Sequence, residues 1–247
     1  MRKTPILVAA CSVGVLAGAA VLQQSSFGVQ VEPSIISRSG DTVVVAYRVT
    51  VAMGARDSLA SFAVDAPGGV VRLLSPPPDS EWMAVIGMRK RSICKWINLD
   101  RLFGAGQSTP PLTLVGTGML AVVPYWAARP GLVDSVIAET ASDSSPVYDT
   151  LMVVNGVTGK TIGVVPPPAD RSSGALATRL LNLIGEVCDL GWVDENGVCN
   201  SLKVKARPER GPLEAMLNEL DAQRGRHVNA AAYALLTDNA RYLLSRL

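Results

Sequence analysis

A triple proline, Pro166-Pro167-Pro168, divides this chain by hydrophobic period. Before it apolar residues alternate or run in short β-branched stretches; after it they recur at three- and four-residue spacing. A strand places successive side chains on opposite faces, whereas a helix brings i, i+3 and i+4 together. The two halves therefore fold differently. The first half's longest signal is Thr42-Val43-Val44-Val45-Ala46-Tyr47-Arg48-Val49-Thr50-Val51. Further strands are expected at residues 61–64, 70–74, 82–86, 92–97, 112–115, 119–125, 135–139, 150–154 and 161–165. Pro67-Gly68-Gly69, Pro76-Pro77-Pro78, Gly104-Ala105-Gly106 and Pro110-Pro111 punctuate them. Many short strands between turn signals predict a β-sandwich over residues 28–166, with a barrel as the alternative.

Past the prolines, residues 167–175 read as a polar linker. Leu176, Leu180, Leu183, Ile184 and Val187 then share one helical face. Leu213, Met216, Leu217 and Leu220 form a second stripe, and Tyr233, Leu236, Ala240, Leu243 and Leu247 a third. Asn229 is positioned to cap the last helix. A shorter helix, residues 201–206, ends before Pro208. The expectation is α+β: an N-terminal β-sandwich followed by a small C-terminal four-helix bundle over residues 176–247, small enough to benefit from a covalent staple.

The N-terminus addresses the compartment. Arg2 and Lys3 precede an uncharged run over residues 6–20, and Ala17-Gly18-Ala19 offers a small-residue cleavage pattern. That order is the mark of a secretory signal peptide, residues 1–20, with an uncleaved anchor or a buried N-terminal helix as the alternatives; the run is short for a membrane span. Cys11 follows too few apolar residues to be a lipoprotein cysteine. Without Arg2 and Lys3, the 23 basic residues fall to 21, equal to the 21 acidic ones. No basic field is left to hold nucleic acid, and no second apolar run is left to hold a stable membrane span. The expected location is periplasmic or extracellular. There, Cys188 and Cys199 are expected to form a disulfide, two buried thiols being the alternative; Cys94 stays a buried free thiol on a strand.

A resemblance rests on separated motifs in one order. Gly191-Trp192-Val193 and then Asn196-Gly197-Val198-Cys199-Asn200-Ser201-Leu202 come first; Leu217-Asn218-Glu219-Leu220-Asp221-Ala222-Gln223-Arg224-Gly225-Arg226-His227-Val228 follows. With Ala232-Tyr233-Ala234-Leu235-Leu236 and Asn239-Ala240-Arg241-Tyr242-Leu243-Leu244, the region resembles the FIMAH-type helical domain of exported bacterial proteins. It departs at Lys203-Val204-Lys205-Ala206-Arg207-Pro208, and at Met216-Leu217, where Phe-Ile is common. The resemblance implies an accessory helical module without catalytic residues. The first half resembles Ig-like exported domains only weakly, through Tyr47-Arg48-Val49 and Phe62-Ala63-Val64.

No residue set assembles a catalytic site. Gly159-Lys160-Thr161 lacks the glycine of a phosphate loop at Val154, and a hairpin turn over residues 156–159 is expected instead. His227, the one histidine, lies between helices as a solvated or capping residue. Asp189, Asp194, Glu195 and Asn196 lack EF-hand order; residues 194–197 read as a turn with Gly197 at positive φ. Asp65, Asp79, Glu81 and Asp100 share no motif. Met88-Arg89-Lys90-Arg91 reads as a solvated loop, or as a contact for an acidic surface polymer or phospholipid headgroups. Trp82, Trp96 and Trp126 are candidates for stacking on a ligand, with sandwich core as the other reading. No metal or cofactor is expected. The function expected is non-catalytic: an exported binding or structural protein with a surface polymer or envelope protein as partner. A carbohydrate-binding module and a hydrolase are the alternatives.

Overall fold

The computed structural model describes residues 27–67, 70–74, 82–87, 93–98, 102–130 and 156–247. Among them are strands β1 (Val29–Ser39), β2 (Thr42–Val51), β3 (Ser61–Asp65), β4 (Val70–Leu74) and β5 (Trp82–Gly87). Then come β6 (Ile93–Asn98), β7 (Leu112–Thr117), β8 (Met119–Ala128) and β9 (Gly156–Val165). Helices α1 (Ser173–Asp189), α2 (Asn196–Lys205), α3 (Arg210–Gln223) and α4 (Ala230–Leu244) follow. The chain is thus α+β, with two antiparallel sheets ordered β1-β2-β7-β4 and β5-β6-β3-β8-β9. The expected strands at 135–139 and 150–154, the 88–91 run, Cys11 and the signal segment lie outside the described residues.

Alternation along β2 puts Val43, Val45, Tyr47, Val49 and Val51 into a core shared by both sheets. The Tyr47 ring stands 5.6 Å from Phe62 of β3 and 5.9 Å from Trp96 of β6. Its hydroxyl is buried and donates to the carbonyl of Ile162 in β9 at 2.8 Å, which satisfies a polar atom the core could not otherwise hold. A Cβ on Gly116 of β7 would stand 2.8 Å from Val164 of β9, so a side chain there would push one sheet off the other.

Three expectations need correcting. Residues 156–159 form no hairpin turn: β9 pairs with β8 from Gly156 to Val165, and the ring of Tyr125 covers Gly159 opposite it. An aromatic neighbour offsets the poor strand propensity of glycine. Residues 194–197 are no turn either: Glu195 is the N-cap of α2, its Oε1 accepting from Gly197 N at 3.4 Å, and the helix starts at Asn196. The left-handed residue is Gly191, at φ 68°, just after α1. Finally, the expected linker loses its last residues to α1, because Ser172 Oγ accepts from Ala175 N and caps the helix. The structure also adds β1, an edge strand whose polar alternate residues and Pro33 hide its strand pattern.

Cys188 near the end of α1 and Cys199 in the first turn of α2 are joined by a disulfide, with Cα atoms 6.2 Å apart. The loop it closes pairs with the α3–α4 connection. Asn229 N donates to Trp192 O at 2.9 Å, and Asp194 N donates to His227 O at 3.1 Å. Asn229 Oδ1 in turn accepts from Ala232 N and starts α4. On the far side, Lys205 Nζ and Ser201 Oγ of α2 both bond Glu219 Oε2 of α3, at 2.7 and 3.0 Å. Cys94 on β6 is free and buried.

Candidate functional site

Helix α4 carries three successive polar residues, Thr237-Asp238-Asn239, in an otherwise apolar stretch, and all three are buried. Residues in a row point 100° apart around a helix, so three of them cannot all face water when both sides of the helix are covered. Here α4 packs against α1 and α3 on one side and against β1, β8 and β9 on the other. It covers the flank where β1 and β9, the edge strands of the two sheets, come together. Two of its polar residues meet backbone and charge on that flank. Asn239 Nδ2 donates to the carbonyl of Leu120 in β8 at 3.2 Å. Asp238 takes both Nε (2.8 Å) and Nη2 of Arg38 from β1. The same guanidinium donates through Nη1 to Gly118 O at 3.2 Å and to Gly40 O at 3.3 Å. Arg38 thereby ties two strand turns to the helix through bidentate, charge-assisted bonds.

A second clasp lies one turn further on. Asp41, in the β1–β2 turn, accepts from Tyr242 Oη (2.8 Å) and Arg246 (2.9 Å) on one oxygen, and from Arg171 (3.0 Å) on the other. The Tyr242 hydroxyl, then the Arg171 and Arg246 charges, hold its carboxyl below the ordinary 3.8. Guanidinium groups of Arg38 and Arg246 lie 5.1 and 5.0 Å from the Tyr242 ring centroid.

Beside these clasps opens a cleft of about 750 Å3. Its helical wall is two neighbouring i, i+4 rows of α4: Ala230, Ala234, Asp238 and Tyr242, then Tyr233, Thr237 and Arg241, the second row continued by the C-cap Ser245. Its other wall is β1 from Pro33 to Arg38, with Arg224, the C-cap of α3, at one end. The small Ala230 and Ala234 make the room. A second hollow of about 600 Å3 continues along β1, sharing Pro33, Ser34 and Ala230. Arg224 stacks on Tyr233 at 4.5 Å, and Tyr233 Oη donates to Asp221 at 2.6 Å, a bond that raises the tyrosine's pKa above its ordinary 10.0. Among the described residues neither Arg224 nor Arg241 has a carboxylate oxygen within 4 Å. The hydroxyl of Thr237, a residue 6% exposed, has no hydrogen-bond partner.

The residues singled out from sequence fall elsewhere. Trp82, Trp96 and Trp126 are 6%, 0% and 4% exposed. Trp82 packs on Phe103 and Trp96 on Phe62. A ring without an open face cannot stack on a ligand, so these three belong to the core and not to a stacking platform. Lys160 and Thr161 lie in β9. His227 Nδ1 bonds Asp194 Oδ1 at 2.9 Å at a half-exposed position. With Glu195 capping α2, two of the loop's acids are already engaged, and the described residues hold no group of three metal-ligating side chains. Asp79, Glu81 and Asp100 lie outside the described residues. Sequence reasoning passed over Arg38, Asp41 and Asp238. The one signal was the polar triplet inside the apolar stripe of α4.

No family model matches the chain, and no curated protein matches it. A solved structure of an uncharacterised protein from Nocardia farcinica, described as an immunoglobulin-like fold, is similar at 16% identity. The match covers 40% of this chain and 77% of that one, with a TM-score of 0.33. At that score the likeness carries no weight for fold or function here.

Proposed function

We propose that this chain is an exported, non-catalytic binding protein of the bacterial cell envelope or exterior. In this reading a β-sandwich carries a four-helix bundle of the FIMAH type, and the cleft between β1 and α4 is the binding surface. The observation that carries it is the pair Arg224 and Arg241, two cations on a cleft wall with no carboxylate within 4 Å among the described residues. Protein surfaces normally intersperse charges of both signs, so two guanidinium groups over a hollow with only Asp221 to offset part of their charge favour an anionic partner. The Cys188–Cys199 disulfide supports an oxidising compartment. No helix of the described residues is long and apolar enough to cross a membrane.

Export and envelope binding are tested together. N-terminal sequencing of the protein from a bacterial host, with cosedimentation on purified envelopes, should give a start between residues 20 and 28. It should also give retention that falls in an Arg224→Ala, Arg241→Ala variant. An intact Met1 in the cytosol, or retention unchanged in the variant, would overturn the reading.

A further inference from the structure

We infer that the β1–α4 cleft takes an acidic side chain of an extended peptide segment from a partner protein, an assignment that rests on the binding reading above and names its ligand. Charge selects a carboxylate. Arg38 is neutralised by Asp238, so Arg224 and Arg241 supply the local positive charge, and Asp221 beside Tyr233 offsets part of it. The remainder suits a singly charged carboxylate better than a phosphate dianion, which would meet Asp221 with an uncompensated charge. Thr237, a residue of the same wall, has a buried hydroxyl whose hydrogen bond is unmade. An unmade buried bond is a cost that a ligand oxygen can remove.

Two observations favour a peptide over a sugar acid. The aromatic faces that would stack on a sugar ring are engaged by cations: Tyr242 by Arg38 and Arg246, and one face of Tyr233 by Arg224. Strand β1 meanwhile offers main-chain groups. Ala52 N bonds Gly28 O, and the register places Gln30, Glu32 and Ser34 in the same phase, with their backbone groups toward β2. Val31, Pro33 and Ile35 then turn theirs away from β2, to the outer edge of the sheet. That edge borders both hollows, and its Pro33 lacks an N–H at a position where none is paired. A peptide backbone complements such an edge; a saccharide does not.

The test uses the full, oxidised chain and a labelled eight-residue peptide with glutamate at alternate positions, followed by fluorescence anisotropy at low salt. Binding is expected, and it should weaken roughly 10-fold when glutamine replaces glutamate. Arg224→Ala and Arg241→Ala should each weaken it roughly 5- to 20-fold with unchanged melting, since both side chains are exposed. Thr237→Val should weaken binding while leaving the melting temperature level or higher, which a purely structural role would not produce. Equal affinity for the glutamine peptide, or variants that bind as well as the parent, would overturn the inference. So would tri-galacturonate or inorganic phosphate displacing the peptide at equal or lower concentration. If the peptide fails while envelope retention stays dependent on Arg224 and Arg241, this inference falls and the binding reading stands.

Discussion

Cys94 and Lys95 are neighbours on β6 whose side chains leave the strand on opposite faces. Cys94, with Trp96, joins the core between the sheets, and burial pushes its thiol up to about 12. Lys95, 3% exposed, is on the other face, and burial lowers its ammonium from 10.5 to about 8. The unfolded chain keeps the lysine proton up to about 10.5 and the folded chain releases it near 8, so raising pH between those values favours folding. The thiol acts in the opposite sense. Unfolded, it ionises near 9.0 while the folded thiol stays protonated, so it favours unfolding above that pH. Between pH 8 and 9 the lysine therefore dominates. Thermal melts should show stability rising there, by at most about 1.4 kcal/mol per pH unit, and Lys95→Met should abolish the rise. A parent protein that loses stability from pH 8 to 9 would contradict this assignment.

At the scale of elements, the disulfide acts beyond the two helices it joins. Its loop holds Trp192 and Asp194 against the α3–α4 connection, and Asn229 in that connection caps α4. Cys188→Ser should lower stability by about 3 kcal/mol at most, the entropy of a short closed loop. Hydrogen exchange should rise first at residues 191–194 and 227–232; equal exchange in parent and variant there would rule out this coupling. The helices were legible from sequence because their stripes are regular, except that Leu247, placed on the third stripe, lies past α4 and is exposed. Leu176, Leu180, Leu183, Ile184 and Val187 are all buried in α1, and Asn229 does cap α4. The start of α2 was hidden because Asn196-Gly197 has turn chemistry, and only the Glu195 cap turns it into a helix start. Strand β1 was hidden because an edge strand buries one face partly and carries a proline. The candidate cleft was illegible for a different reason. It joins Arg38 to Asp238, 200 residues apart, and no local period encodes that pairing.

At the scale of the molecule, α4 couples the sheets to the helices, and the cleft exists because both are docked. Arg171 lies in the polar segment between them, side chain half exposed but ion-paired to Asp41. Trypsin should cut first at Arg171, and Asp41→Asn, which weakens the clasp by about 1 kcal/mol, should speed that cut. First cuts between residues 213 and 247 would refute the two-part organisation. The Arg38–Asp238 pair tests the coupling itself, because both side chains are largely buried, 15% and 9% exposed, and each belongs to a different part. The decisive measurement is a double-mutant cycle, Arg38→Ala and Asp238→Ala singly and together, read by denaturant unfolding of the whole chain. Each single change strands a buried charge, so each should cost about 3 kcal/mol, and the double variant should cost clearly less than the two combined, with sheets and helices unfolding in one transition. Additive losses, or a helical signal that melts apart from the sheets in the parent protein, would contradict the account.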